Sequence, residues 1–239
     1  MNPPSPALGR TSPASVRDTV PRSSWRIGSV PYLNARPLIY GMEDQVTLCP
    51  PARLADSLHR AEFDVGLVPV AEVLVHDQYE VVNGIAIASC GSVASVFLVH
   101  RVPVDQIKRV AVDPASRSSA WLVRVILKYG YHLEPEFYPL TGAPKLSDHE
   151  AMMLFGDGAI WYRHGNGDDC LLDLGEAWTE MTGLPFVYAA WAVRRGAMSD
   201  GSWVMGDERT GVASDLVTLL RKAKADGLAH IERIVQDST

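Results

Sequence analysis

Val30-Pro31-Tyr32-Leu33-Asn34-Ala35-Arg36-Pro37-Leu38 follows a short apolar segment, Trp25 to Val30, that reads as a strand. Pro31 interrupts the strand, and Pro37 stands where proline fits best, at the first position of a helix. Tyr32, Asn34 and Arg36 therefore fall on the turn leaving the carboxyl end of a strand, the edge at which open α/β sheets bind ligands. An ordinary strand-to-helix turn would look the same on this segment alone. The rest of the chain separates the two readings.

Other loops repeat the arrangement. Ser89-Cys90-Gly91-Ser92-Val93-Ala94-Ser95 lies between the apolar Ile85-Ala86-Ile87-Ala88 and the strand-like Val96 to His100. Asp113-Pro114-Ala115-Ser116-Arg117-Ser118-Ser119 runs from the strand Val110-Ala111-Val112 into a helix that places Leu122, Val125, Ile126 and Tyr129 on one face and stops at Gly130. Hydroxyls, an arginine and unpaired amides at a helix start favour an anion, because the amides and the helix dipole point at it. A lone serine there would be read as an N-cap; three hydroxyls beside Arg117 ask for more. Gly156-Asp157-Gly158 follows the apolar run Met152 to Phe155 in the same way.

Along the body, strands alternate with helices, the pattern of an α/β sheet. Pro51 to Arg60 reads as a helix with Leu54, Ala55 and Leu58 inward, followed by the strand Asp64 to Val68. Val81 to Ala88 and Val93 to His100 read as consecutive extended segments, with further strands at Val110, Phe137 to Leu140 and Met152 to Phe155. Asp173 to Thr182 is helical and closes at Gly183, Phe186 to Val193 is strand-like, and from Val212 onward Leu216, Leu219, Leu220, Leu228, Ile231 and Ile234 recur at helical spacing.

Composition narrows the function. Across 239 residues, 47% are hydrophobic and 21% charged, as expected of a globular chain long enough for an ample core. A net charge of −6 argues against a nucleic-acid surface, which needs clustered basic residues. The 3 cysteines (Cys49, Cys90, Cys170) form no disulfide framework and suit a reducing cytosol. No stretch approaches membrane-spanning length. Residues 1–24, rich in Pro, Ser and Arg, lack the apolar core of a secretion signal and read as a flexible tail or an overcalled start. No Cys or His pair has metal-ligand spacing, Gly165 to Asp169 reads as a polar turn, and no glycine pattern meets a nucleotide-binding template, so no metal or cofactor is expected.

The loops and their neighbours resemble the chorismate dehydratase family of the futalosine route to menaquinone, from about Arg26 to Trp191. The resemblance is carried by Tyr32-Leu33-Asn34-x-x-Pro37-Leu38, by Phe63-Asp64-Val65-Gly66-Leu67-Val68-Pro69-Val70 and by Ser89-x-Gly91-x-Val93-x-Ser95-Val96. Ser116-Arg117-Ser118-Ser119, Gly156-Asp157 and Thr182-Gly183-Leu184-Pro185-Phe186-Val187 follow in order. Pro31 and Cys90 depart from the pattern.

The resemblance implies a two-lobed, type II periplasmic-binding-protein-like α/β fold with a ligand cleft between the lobes. Mapped here, residues 25–102 plus 175–239 form the larger lobe and 103–174 the smaller, with crossings near Pro103 and near Gly165-Asn166-Gly167. It also implies a cytoplasmic lyase that eliminates water from chorismate to give 3-[(1-carboxyvinyl)oxy]benzoate. Asn34 would be catalytic, orienting or donating to a reacting oxygen. Tyr32, Arg36, Ser89, Gly91, Ser92, Val93, Ser116, Arg117, Ser118, Ser119 and Asp157 would hold the substrate, with Arg36 and Arg117 supplying local positive charge. The 7 histidines lie outside the matching blocks, which favours a substrate-assisted elimination over a histidine base. The rivals are a non-catalytic carboxylate receptor or sensor of the same fold, and the sister enzyme that closes a naphthoate ring, for which a histidine in the cleft is expected.

Overall fold

Strand β1 (Ile27–Ser29) is buried along its whole length because parallel strands flank it on both sides: β2 (Val46–Leu48) and, beyond helix α1 (Pro51–His59), β3 (Val65–Pro69). The computed structural model to which these elements belong describes residues 25–166, 170–195 and 214–238. The expected tail at 1–24, the centre of the polar turn at 167–169 and the start of the C-terminal region at Val212 lie outside the described residues. Leu54, Ala55 and Leu58 of α1 face inward, as their spacing predicts. Helix α2 (Val70–Val75) then leads to the long strand β4 (Tyr79–Ser89).

The chain next leaves this sheet. Strand β5 (Val96–His100) pairs with partners still to come: β6 (Arg109–Val112), α3 (Arg117–Val125), β7 (Glu136–Pro139), β8 (Ala151–Phe155), α4 (Gly156–Asn166) and β9 (Cys170–Asp173) complete a second unit. Helix α5 (Leu174–Thr182) ends at Gly183, and β10 (Phe186–Arg194) returns to the first sheet. Helices α6 (Ser214–Ala229) and α7 (Ile231–Gln236) cover the first lobe. Among the described residues no helix is long and apolar enough to cross a membrane.

The strand orders are β2-β1-β3-β10-β4 and β7-β6-β8-β5-β9. Both follow one plan: three adjacent parallel strands, an antiparallel strand, then an outer strand. Each crossing lands on the antiparallel strand of the sheet it enters, β5 on the way out and β10 on the way back.

This pairing moves the lobe boundary expected from the sequence. β5 belongs to the second sheet, bonded to β8 and β9, so the chain crosses at residues 90–95 rather than near Pro103. The return lies at 183–185 rather than near Gly165, and Leu174 and Ala177 of α5 pack in the second lobe's core. Consecutive extended segments usually pair with each other; here β4 and β5 do not, and periodicity carries no information about that choice.

Two smaller corrections have local causes. Residues Leu33–Leu38 form a single 3₁₀ helix, and Pro37 lies inside it rather than at the first position of an α-helix. Pro37 is buried under α6, where Gly227 approaches its backbone so closely that a Cβ would collide with the Pro37 carbonyl. Helix α3 continues as a π turn over Ile126–Gly130, and Leu122, Val123, Ile126 and Leu127 are its buried face, leaving Tyr129 exposed. In the C-terminal helices Leu216, Leu220 and Ile234 are buried, whereas Leu228 and Ile231 are exposed.

One carboxylate joins the crossings. Asp173, at the end of β9, accepts from the Ser92 hydroxyl (2.7 Å) and from the amides of Val93 (3.0 Å) and Ala94 (2.9 Å) in the outgoing segment. It also caps α5, accepting from the amides of Gly175 (2.9 Å) and Glu176 (3.0 Å). Gly91 N donates to Thr179 Oγ1 of the same helix at 2.8 Å. Gly175 has no room for a side chain, since a Cβ would stand 2.7 Å from the Gly91 carbonyl and from Ser89 Oγ.

Burial alone would raise the Asp173 pKa, but the Ser92 hydroxyl and the surrounding amides outweigh it and hold the carboxyl below its ordinary 3.8. A depressed folded-state pKa stabilises the fold above the unfolded value, and that increment is lost as pH falls below about 3.8. Asp173→Ala is expected to cost roughly 2–4 kcal/mol, as for loss of a helix cap together with stranded part-buried donors. Denaturant titration at pH 7 and pH 3 checks this: the gap between wild type and Asp173→Asn should shrink at the lower pH, and a gap independent of pH would contradict it.

Candidate functional site

A cavity of about 190 Å³ opens where the carboxyl ends of β1, β3, β6 and β8 face one another across the two sheets. Its walls are apolar: Val30, Leu67 and Ile87 come from the first lobe, and Val96 and Phe155 from the second. Polar groups stand at its edges, Tyr32 and Asn34 on one side and Ser116 to Ser119 on the other.

The 3₁₀ geometry of Leu33–Leu38 decides which side chains reach this cavity. Residues three apart eclipse one another in such a helix. Ala35 and Leu38 share the buried face, Asn34 is turned to the cavity, and Leu33 and Arg36 share the opposite, outer side. Arg36, expected from the sequence to grip a ligand, instead donates to Ser238 Oγ at 2.8 Å and lines a separate outer groove with Asp157, Ile160 and Trp161. Asp157 likewise lies outside the cavity, its carboxylate 3.4 Å from the Leu33 amide of the facing lobe. Gly156, its neighbour, is the residue that reaches the cavity, beneath the Tyr32 ring. Tyr32 also meets Phe155 edge to face at 5.7 Å, so aromatic contact closes this side of the cleft.

On the opposite wall, α3 begins at Ser116, whose carbonyl accepts the helix's first bond from Ala120 while its hydroxyl caps nothing. Ser116, Ser118 and Ser119 are buried at 6%, 5% and 3% exposure, yet each lines the cavity. A helix start, with its unpaired amides and positive dipole end, thus faces the cavity together with hydroxyls. Arg117 lines the same wall, but its guanidinium is engaged: Nη1 lies 2.7 Å from Glu72 Oε1 and Nη2 3.1 Å from Asp56 Oδ1, both on the first lobe. The Glu72 hydrogen bond holds its pKa above the ordinary arginine value.

Ser89, at the end of β4, and Gly91 and Ser92, in the crossing segment, stand outside the cavity lining. Ser89 Oγ is 3.0 Å from Tyr188 Oη, Gly91 is bound to Thr179, and Ser92 to Asp173. Val93, on the same segment, does line the cavity. The sequence reading missed Tyr188, which comes from the middle of β10 and lies 99 residues from the serine it touches. Its inward phase along β10 was legible; the cavity it faces was not. Among the described residues no group of His, Cys, Asp or Glu side chains is arranged to hold a metal ion.

These features define the protein as a two-lobed α/β protein of the periplasmic-binding-protein type, with its cavity at the interlobe cleft. Solved structures with the same fold include a protein of Archaeoglobus fulgidus (TM-score 0.62, 17% identity, covering 89% of this chain and 79% of that one). The periplasmic aliphatic sulphonate-binding protein of Escherichia coli has a TM-score of 0.58 at 15% identity, covering 89% and 76%. A Candida albicans protein described as having the generic periplasmic binding protein fold has a TM-score of 0.58 at 12% identity, covering 91% and 75%. Residues 25–239 match the family described as menaquinone biosynthesis, and the chain belongs to that family. A chorismate dehydratase of Thermus thermophilus is 27% identical over 232 residues, 88% of this chain and 80% of that protein.

Burial raises the pKa of both cavity phenols. For Tyr32 the charges of Asp113 and Asp157 add to the rise, and for Tyr188 the Ser89 hydroxyl partly offsets it. Both phenols are expected to stay protonated beyond the ordinary value of 10.0. In an absorbance titration at 295 nm, Tyr32→Phe and Tyr188→Phe should each delete a late-titrating phase; loss of an early phase would contradict the burial of that ring.

Proposed function

We propose that the protein binds chorismate in this cavity and eliminates water from it, giving 3-[(1-carboxyvinyl)oxy]benzoate. The observation that carries this reading is the lining itself. Among the described residues the cavity presents apolar walls for a six-membered ring, hydroxyls and helix amides at one end, and an amide and two neutral phenols elsewhere. It presents no histidine or carboxylate side chain. A site of this composition can position a dicarboxylate and stabilise developing charge, but it lacks a side chain suited to act as general base.

The substrate supplies what the lining lacks. The hydrogen to be lost sits on the ring carbon bearing the enolpyruvyl ether and is vinylogously acidic, because its carbanion delocalises into the ring carboxylate. The enolpyruvyl carboxylate takes this proton, and the C–H electron pair becomes a ring double bond. The neighbouring C–O bond breaks, and the departing hydroxide, reprotonated, leaves as water. Aromatisation drives the step. The α3 start, through the amides and hydroxyls of Ser116 to Ser119, would take one carboxylate, with Arg117 adding positive field that Glu72 and Asp56 partly offset. Asn34 would orient a reacting oxygen, since its amide can both donate and accept. Tyr32 and Tyr188 would serve as neutral donors. Ser89, Gly91 and Ser92 would act through the crossing segment they hold, and Arg36 and Asp157 from outside the cavity.

The name of the Thermus thermophilus relative and the family membership support the same reaction. Incubation of the purified protein with chorismate should abolish its diene absorbance and yield a product lighter by one water. Asn34→Ala is expected to keep the fold and lower turnover by about ten- to a hundredfold, as for loss of one preorganised donor. Asn34→Asp should be as impaired, because a carboxylate there repels a dianion. Normal turnover in both variants would make Asn34 structural, and chorismate bound tightly but returned unchanged by folded protein would establish a receptor.

A further inference from the structure

Glu72 is a carboxylate on α2 of the first lobe, only 5% exposed, whose arginine partner belongs to the other lobe. Arg117 is the first residue of α3, and its side chain reaches across the cleft to Glu72 at 2.7 Å and to the half-exposed Asp56 at 3.1 Å. Beside this contact the Ala71 amide donates to Ser118 Oγ at 3.3 Å, a second bond from α2 to the start of α3. Arg117 and Ser116 also separate the cleft cavity from an outer cavity of about 350 Å³ lined by Ala71, Glu72, Trp121 and Arg124. The ion pair is thus both a bond between lobes and part of a wall.

Deepening the reading above, on which it rests for its kinetic arm, we propose that Glu72 is a positioning residue. Through Arg117 it docks the start of α3 against the first lobe. That fixes the anion-binding wall at its distance from Asn34 and seals the cavity from the outer one. A partly buried ion pair contributes little net stability, because desolvation offsets its attraction, but it can fix the relative position of the elements that carry it. Its kinetic mark follows. If the closed form is only fractionally populated without the clasp, apparent affinity falls by that fraction, while bound substrate, touching both lobes, restores closure. Loss of Glu72 should therefore appear in KM rather than in kcat.

The test uses the full chain. In ligand-free protein, small-angle scattering should show a larger radius of gyration for Glu72→Gln than for wild type. With chorismate, KM should rise about tenfold or more while kcat stays within about threefold. Glu72→Gln/Arg117→Gln leaves neither charge of the pair stranded and guards against misfolding; it should match Arg117→Gln alone, because Glu72 acts through Arg117. Superimposable scattering curves for wild type and the variants would overturn the proposal. So would a fall in kcat at unchanged KM, which would place Glu72 in the chemistry, or additive effects in the double variant. Should wild type leave chorismate unchanged, the functional reading fails while scattering still decides the clasp.

Discussion

The Asp173 carboxylate ties together the two crossings between the lobes. The chain passes between its two sheets twice, and neither passage has a sheet neighbour to hold it. Asp173 receives hydrogen bonds from the outgoing segment at Ser92 to Ala94 and from the first turn of α5, which leads into the return. Its ordinary role as a helix cap is thereby extended into a junction. Gly175 lets α5 approach that segment without a side chain between them, and Thr179 adds a bond one turn later. The Ser89–Tyr188 contact lies in the same junction, so one end of the cavity is built on it.

The cleft follows from the repeated strand order. Parallel strands place their carboxyl ends, and the helix starts that follow them, on one edge of each sheet; the two edges face each other here. The apolar walls lower the local dielectric, which strengthens the few polar groups aimed inward and penalises unpaired charge. Arg117 accordingly stands at the wall with its charge matched by Glu72 and Asp56 rather than bare in the cavity. Raised pKa values at Tyr32 and Tyr188 express the same low-dielectric surroundings.

Local elements were legible because their signals are local. The inward residues of α1, the extent and stop of α5 and the strand at β3 follow from spacing and from the glycine that ends the helix. The loops at Tyr32, Ser116 and Gly156 were found because glycine, proline and hydroxyl residues punctuate strand ends. What escaped depended on pairing. Whether β5 joins β4 or crosses to another sheet leaves no mark on its alternation, so the lobe boundary shifted. Arg36 and Asn34 sit two residues apart and so on different sides of the turn, but their spacing does not say which of them faces the cavity. Ser92 reads like a ligand-binding serine because a hydroxyl that binds a carboxylate looks the same whether that carboxylate is a substrate or Asp173.

Membership of the menaquinone biosynthesis family, the two-lobed fold and the composition of the cavity support the proposal that a small dicarboxylate is held at the start of α3 opposite Asn34. The most direct measurement is a crystal structure of the slow Asn34→Ala variant soaked with chorismate. The account predicts the ring between Ile87 and Phe155, with one carboxylate against the amides and hydroxyls of Ser116 to Ser119. Ligand density in the outer groove beside Arg36 and Asp157, with the cleft cavity unoccupied, would contradict it.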